Sequence, residues 1–413
     1  MRNPYPINPL FQLIVKVWMF FFTRYYKITY NVSKEIKGIN QSYLMLSNHY
    51  GRYDPFIISY PFKKRPNFIS SDSVLRYKII GFLFKGLGAM PKKKGVKDTY
   101  IIREMISVIR YGGSLALFPE GARSWTGEIN YIEGSIAKLV KLLKVPVITV
   151  RMKGAYALDP RWAKPLRRAK VDIDYQMAFT QQEIADLSEE EIVRILRKNL
   201  YQDDMSYLKE HRIKIKSRKK AEFIDLVLFQ CPECNQFAGF NAKGNSFKCR
   251  ACGIENRIND YGMFELTGGV KSKFDNIKDW IHWQNRNLVK YVKEQMEKND
   301  EVKLFQANDI LVNYSKDYEI MKPIGTGSIM FFSDKLRLRI NNEDIDLMWK
   351  DIQVIGPQHL ERIELLHGEE AYRFISTKEN EAGIKWEIAA NVVWYKTGQH
   401  NKLSPYFKEL VAD

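Results

Sequence analysis

An α/β domain, a small cysteine-bearing module and a β-rich C-terminal domain are predicted from three features of this 413-residue chain. Apolar runs of strand length alternate with helical patterns up to about residue 200, as in a sheet flanked by helices. All four cysteines stand between positions 231 and 252. Beyond Val302, short apolar runs follow one another closely, and no helical pattern intervenes before Trp386. Length agrees, because one hydrophobic core usually serves about 100–200 residues.

The first element, Phe11 to Phe22 (FQLIVKVWMFFF), carries Lys16 inside it and Arg24 and Lys27 just beyond. Its uninterrupted apolar length falls short of the ~18–20 residues that span a bilayer. It reads as an interfacial or partly inserted helix, with Trp18, Phe20, Phe21 and Phe22 suited to the headgroup boundary and the cations able to snorkel. A buried first helix is the alternative. No small-residue cleavage site follows Met1, so the mature chain is expected to begin near it.

Strands are predicted at Tyr43–Ser47, Ser114–Phe118, Val145–Val150 and Val171–Phe179. Helices are predicted at Asp98–Arg110, ended by Gly112-Gly113, at Ile132–Lys144 and at Ser188–Leu200. The last opens with a serine cap and glutamates and closes in basic residues, which suits the helix dipole. His211–Lys220 (HRIKIKSRKK) reads as a solvated, lipid-facing tail of the first domain. An amphipathic segment from about Lys271 to Lys298 precedes strand-like runs at 329–332, 336–340, 347–355, 363–366 and 372–375. The expected division is 1–35, a membrane-associating helix region; 36–222; 223–262; a helical connector, 263–300; and 301–413.

Lys and Arg number 65 against 48 Asp and Glu, a formal charge of +17. Such an excess favours a polyanionic partner, either nucleic acid or an anionic lipid surface. Charge by itself does not choose between them.

Candidate chemistry begins at Asn48-His49-Tyr50-Gly51-Arg52-Tyr53-Asp54, directly after the first predicted strand. A histidine acting as a base needs a carboxylate on its second ring nitrogen to fix the tautomer and stabilise the imidazolium, and Asp54 is available five residues on. Phe118-Pro119-Glu120-Gly121-Ala122-Arg123-Ser124 follows the second predicted strand. A turn there exposes a carboxylate, backbone amides and a guanidinium able to fork onto a phosphate. A polar turn with a surface arginine is the plainer reading.

These two blocks resemble the NHxxxxD and FPEGTRS motifs of the glycerol-phosphate and lysophosphatidic-acid acyltransferases, standing about 70 residues apart in the same order. Gly88-Ala89-Met90-Pro91-Lys92-Lys93-Lys94 is similar to the family's intermediate block, and Val145 to Val150 (VPVITV) to its fourth; together the four cover roughly residues 10–200. Ala122 stands where the family has Thr. Lys94 stands where it has Arg, which keeps the charge and loses the bidentate fork. The resemblance implies an acyltransferase domain with a central sheet flanked by helices. It further implies transfer of a fatty acyl group from acyl-coenzyme A or acyl carrier protein to a lysophospholipid such as lysophosphatidic acid. His49 would be the general base and Asp54 its orienter. Glu120, Gly121 and Arg123, with Lys94, would bind the acceptor's phosphate. The expected location is the cytoplasmic face of a membrane, peripheral or monotopic. A metal-stabilised membrane-binding or scaffolding protein with an idle site is the alternative.

Cys231-Pro-Glu-Cys234 and Cys249-Arg-Ala-Cys252 are separated by fourteen residues. Two such knuckles each turn a pair of sulfurs toward one point, the pattern of a four-thiolate tetrahedral Zn²⁺ site with no open position, hence structural. The module resembles a zinc ribbon; a rubredoxin-type iron site uses the same ligands, and two disulfides are the alternative in an oxidising compartment. Ribbons can bind nucleic acid, but Phe237, Phe240 and Phe247 serve equally as a small core, so no nucleic-acid partner is expected. Gly325 to Leu336 is similar to the opening hairpin of a PH-like or GRAM-like domain, with Leu347–Ile352 as a later strand; an unrelated β domain is equally open.

Overall fold

The computed structural model describes residues 3–71, 78–92, 99–268, 271–298, 301–316, 320–358 and 362–412. It divides into two compact units. The first comprises Met1–Arg161, Pro165–Ser217 and Asp260–Gly262, and the second Trp162–Lys164, Arg218–Asn259 and Met263–Asp413.

The first unit is built on a seven-stranded sheet: β1 (Ile28–Asn31), β2 (Leu44–Ser47), β3 (Asn67–Ser71), β4 (Met90–Lys92), β5 (Leu115–Leu117), β6 (Val147–Lys153) and β7 (Val171–Phe179). Their order is β1-β7-β6-β2-β5-β3-β4. All neighbours are parallel except β6 and β7. The four sequence-predicted strands are β2, β5, β6 and β7. Three were not legible: β1 (ITYN) and β3 (NFISS) are short and largely polar, and β4 contains Pro91, which an edge strand tolerates because no ladder donor is needed there. Helices Thr99–Arg110, Ser135–Leu143 and Glu189–Leu200 lie where the periodicity placed them, with Met105, Val108, Val140, Ile192 and Leu196 in one core cluster with Leu44, Leu46 and Val147.

Helix α1 runs Pro9–Tyr25, started by Asn8, whose side chain accepts from the Leu10 and Phe11 amides. Met19, Phe22 and Thr23 face inward, and Trp18 and Phe22 pack on Tyr53, with ring centroids 5.8 and 5.4 Å apart. Its other face, Leu10, Leu13, Ile14, Val17, Phe21 and Tyr25, is exposed. Among the described residues no helix is long and apolar enough to cross a membrane. Residues 211–220 differ from the expected solvated tail, because Ile213, Ile215 and Lys220 are buried.

In the second unit, β8 (Phe240–Lys243), β9 (Ser246–Cys249), β10 (Glu255–Ile258) and β11 (Phe264–Leu266) form an antiparallel sheet in the order β11-β10-β9-β8. Phe240, Phe247 and Phe264 surround the buried ring of Trp280, each with its centroid 5.7 Å away. Trp280 belongs to the helix Ile277–Lys298, which starts later than the expected Lys271. Gln284 of that helix spends both ends of its amide on backbone, donating to the Val227 carbonyl at 2.8 Å and accepting from the Phe229 amide at 3.1 Å.

The C-terminal region is a seven-stranded antiparallel sheet: β12 (Lys303–Lys316), β13 (Lys322–Phe332), β14 (Lys335–Ile340), β15 (Glu343–Met348), β16 (Ile352–Pro357), β17 (Ile363–His367) and β18 (Glu370–Ser376). Two meanders, β12–β15 and β16–β18, join through β12 and β18, giving β15-β14-β13-β12-β18-β17-β16. The run 347–355, expected as one strand, breaks at Trp349–Asp351 between β15 and β16. The Gly325–Leu336 hairpin is the second of the sheet; β12 with β13 makes the first. A helix, Gly383–Lys396, follows, burying Trp386, Ile388, Val392 and Trp394.

Candidate functional site

The site follows from sheet order. β2 and β5 are parallel neighbours, with Leu44 opposite Leu115 and Leu46 opposite Leu117, so their C-terminal ends are level. Loops leaving such ends side by side form the usual crevice of an open α/β sheet. Here they are 48–53 and 118–124. Two hydrogen bonds tie them: the Ser124 amide donates to the His49 carbonyl at 2.9 Å, and the His49 amide donates to Glu120 Oε1 at 2.7 Å.

Asp54 opens the helix Asp54–Ser59 and is almost wholly buried. Its Oδ2 accepts from the Tyr50 amide at 2.7 Å and the Gly51 amide at 2.9 Å, and lies 2.8 Å from His49 Nδ1. A carboxylate held by two amide donors is an acceptor, so Nδ1 carries the proton and Nε2 is the basic nitrogen. The imidazole stacks on Phe118, centroids 3.9 Å apart and planes 14° from parallel. Its side chain remains 20 % exposed. Burial pushes the His49 pKa below the ordinary imidazole value against the pull of Asp54, and the charges of Arg123 and Arg161 push the same way as burial.

Glu120, expected on a phosphate, lies against the backbone of two loops. It is 4 % exposed, and its two oxygens are taken up by backbone: Oε1 by the His49 amide and Oε2 by the Asn130 amide at 2.6 Å. Burial raises its pKa well above the carboxylate range, while these two donors pull it down. A buried carboxyl turned onto the backbone holds two loops together. Gly121 stands at φ +71° in the exposed turn that follows, a conformation that a side chain would strain. Arg123 is half-buried, and its charge reaches His49. Lys94 lies outside the described residues.

Several residues that sequence reasoning left without a role complete the frame. Asn48 bridges to β6, donating to the Met152 carbonyl and accepting from the Met152 amide, both at 2.9 Å. Ser124 Oγ accepts from the Gly127 amide at 3.1 Å and donates to the Glu128 carbonyl at 2.5 Å. The segment Asp159-Pro160-Arg161 clamps both loops. Asp159 accepts from the Arg52 amide at 2.7 Å and pairs with its guanidinium at 2.6 Å, and a Cβ on Gly51 would come within 2.8 Å of it. Arg161 donates to the Arg123 carbonyl at 3.0 Å, with its guanidinium 3.9 Å over the Trp125 ring. Asn48 and Ser124 stand inside the motif blocks; Asp159 and Arg161 carry no local signal.

The four cysteine sulfurs lie within 4.8 Å of one another. Cys231 and Cys252 sulfurs are 3.8 Å apart and those of Cys234 and Cys249 3.9 Å apart. These separations are far beyond an S–S bond of about 2.05 Å. They match the edge of about 3.8 Å in a tetrahedron of sulfurs each about 2.3 Å from Zn²⁺. The two knuckles repeat one geometry: the Cys231 amide donates to the Gln236 carbonyl and the Cys249 amide to the Ile254 carbonyl, and Asn235 and Gly253 both take positive φ. These residues fit a tetrathiolate metal ion.

The family model described as Acyltransferase matches residues 27–153, a span that includes His49, Asp54, Glu120 and Arg123. Among solved structures, the chain is similar to the crystal structure of the 1-acyl-sn-glycerophosphate (LPA) acyltransferase PlsC from Thermotoga maritima. The identity is 19 % and the TM-score 0.41, over 49 % of this chain and 79 % of that one. A comparison with curated proteins gives no match.

Proposed function

Residues 27–153 form an Acyltransferase-family domain, and from that premise we propose that the chain moves a fatty acyl group from an acyl thioester to the free hydroxyl of a lysophospholipid, lysophosphatidic acid giving phosphatidic acid. The observation that carries this reading is the 2.8 Å contact of His49 Nδ1 with an Asp54 carboxylate fixed by two backbone amides. It leaves Nε2 as a base at the mouth of the site.

In the proposed reaction Nε2 takes the acceptor's hydroxyl proton while the oxygen attacks the thioester carbonyl. The tetrahedral intermediate then collapses: the C–S bond breaks, and the departing thiolate takes the proton back from the imidazolium. A thioester is already activated, so no Ser or Cys nucleophile is required. A depressed His49 pKa keeps the imidazole in its neutral, basic form near neutral pH. Arg123, with the exposed turn at Gly121 and with Lys94, binds the acceptor's phosphate, and Glu120 acts one step back by fixing His49 and the turn. Acyl-coenzyme A or acyl carrier protein serves as donor, and the basic chain suits either acidic donor. The exposed apolar face of α1 lies in the headgroup boundary of the membrane's cytoplasmic leaflet. The cysteines hold a structural Zn²⁺.

A thiol-release assay in detergent tests the reading, with acyl-coenzyme A or acyl carrier protein thioester as donor and lysophosphatidic acid, glycerol-3-phosphate or lysophosphatidylcholine as acceptor. Release is expected to depend on lysophosphatidic acid and to fall by about 10²-fold or more in His49→Ala, as for loss of a general base. Near-normal release from the variant would overturn the mechanism, and release with another acceptor would reassign the substrate.

A further inference from the structure

The stretch 211–217 is an ordered strap on the first unit. Ile213 and Ile215 turn inward, 6 % and 3 % exposed, while Arg212, Lys214 and Lys216 alternate with them on the outside. Reciprocal backbone bonds fix it, Lys216 amide to Arg168 carbonyl at 2.8 Å and Arg168 amide to Lys216 carbonyl at 3.2 Å, and the Ile215 amide donates to the Asp260 carbonyl at 2.7 Å. Among the described residues no carboxylate pairs with Lys214 or Lys216, and Arg212 and Lys214 flank the ring of Tyr261.

Arg168 joins this row of cations to α1. Its guanidinium lies 5.1 Å over the ring of Tyr25, the last residue of the helix. Tyr25 also ends the exposed stripe, since Leu10, Ile14, Val17, Phe21 and Tyr25 recur every three or four residues and so share one face. The apolar stripe therefore ends at Tyr25 against Arg168, whose backbone pairs with Lys216 of the strap. That is the layout of a surface that inserts side chains below the headgroups and meets phosphates beside them.

We propose that Arg212, Lys214 and Lys216, with Arg168, form a binding site for the anionic headgroups of the bilayer in whose interface α1 lies. The proposal rests on the interfacial reading of α1. An acidic protein would also meet the charges, but it would leave the adjoining apolar stripe uncovered. The strap thus gives selectivity for anionic leaflets, and the stripe gives the apolar share of binding.

Co-sedimentation of the full chain with phosphatidylcholine vesicles, and with vesicles that also contain phosphatidylglycerol, separates the two. The triple variant Arg212→Gln/Lys214→Gln/Lys216→Gln is expected to lose about 10²-fold of its partition onto the anionic vesicles, at roughly one surface charge each, and to bind neutral vesicles like wild type. High salt is expected to remove the wild-type preference. Val17→Asp/Phe21→Asp is expected to abolish binding to neutral vesicles. Anionic binding unchanged in the triple variant would overturn the strap and leave the α1 reading intact. Failure of wild type to bind either vesicle would overturn both. A triple variant that keeps its vesicle binding but loses turnover with acyl carrier protein thioester would make the strap a protein dock instead.

Discussion

The two constellations of this molecule are both made by bringing a pair of short segments together, and they spend their motif residues differently. In the cysteine cluster each motif side chain points at one centre: the four sulfurs converge, and the two knuckles repeat the same backbone bond. In the His49 site most motif side chains point at each other or at backbone. Asp54 serves two amides and an imidazole, Glu120 serves two amides, Asn48 serves Met152, and Ser124 serves its own turn. The contrast teaches that a motif is not a ligand list. Where a metal ion organises the loops, every ligating motif residue can point at it; where loops must stand ready for a transient substrate, polar side chains have to hold them.

The largest expected effect lies on the cysteine side. A structural zinc site binds with about 10–16 kcal/mol, and that energy is folding energy for the small sheet around it. Cys249→Ser, or a strong chelator, is therefore expected to release the metal and unfold β8–β11. The readouts are metal content by mass spectrometry and the fluorescence of Trp280 inside its phenylalanine cage. Wild type is expected to carry about one Zn²⁺ per chain. A metal-free chain with native fluorescence would break the comparison, since the sulfurs would then have packed without an organising ion.

Glu120→Gln sharpens the other half. The variant keeps the shape and can accept from one backbone amide, but its own amide hydrogens meet the second donor. A buried unsatisfied group of this kind costs about 1–3 kcal/mol. The expected result is a Tm lower by roughly 2–4 °C per kcal/mol for a unit of this size, with turnover falling and the KM for the phosphate-bearing acceptor little changed. The opposite split, an unchanged Tm with an altered acceptor KM, would return Glu120 to the phosphate.

How far the sequence was legible follows from the range of each interaction. The apolar runs that became β2, β5 and β6 announced themselves, since strands buried on both faces need no polar alternation, and β7 did so by alternating Val171, Ile173 and Tyr175 with Asp172, Asp174 and Gln176. The long β12 did not, because Asn308-Asp309 interrupts its apolar positions where Asp309 takes φ +53° and the register shifts. The knuckles were complete in sequence, as four ligands and their spacing are local. His49 with Asp54 was also local, five residues apart. The inward turn of Glu120 was not, because its partner amide at His49 is 71 positions away and only the pairing of β2 with β5 brings it near. The same holds for the Asp159–Arg52 pair, across 107 positions, and for Ile213 and Ile215, whose two apolar residues among lysines gave no hint of the Arg168 backbone that would receive the strap.

Arg161 offers the smallest effect and the finest test of how the His49 site is tuned. Besides its stack on Trp125, it makes a hydrogen bond to the Arg123 carbonyl that positions the turn, and it carries a charge that, after burial, helps Arg123 hold the His49 pKa down against Asp54. The active form of a general base is neutral, so kcat/KM is lost as pH falls through its pKa. Removing a cation raises that pKa and should move the acid limb of the profile to higher pH. Arg161→Gln is expected to show this move together with some loss of rate, because the turn also loosens. Arg161→Lys keeps the charge and loses the planar stack on Trp125. Its rate should fall while its acid limb stays near that of wild type. If both variants lose rate and neither moves the limb, Arg161 acts through the Arg123 carbonyl alone, and the base owes its low pKa to burial and Arg123.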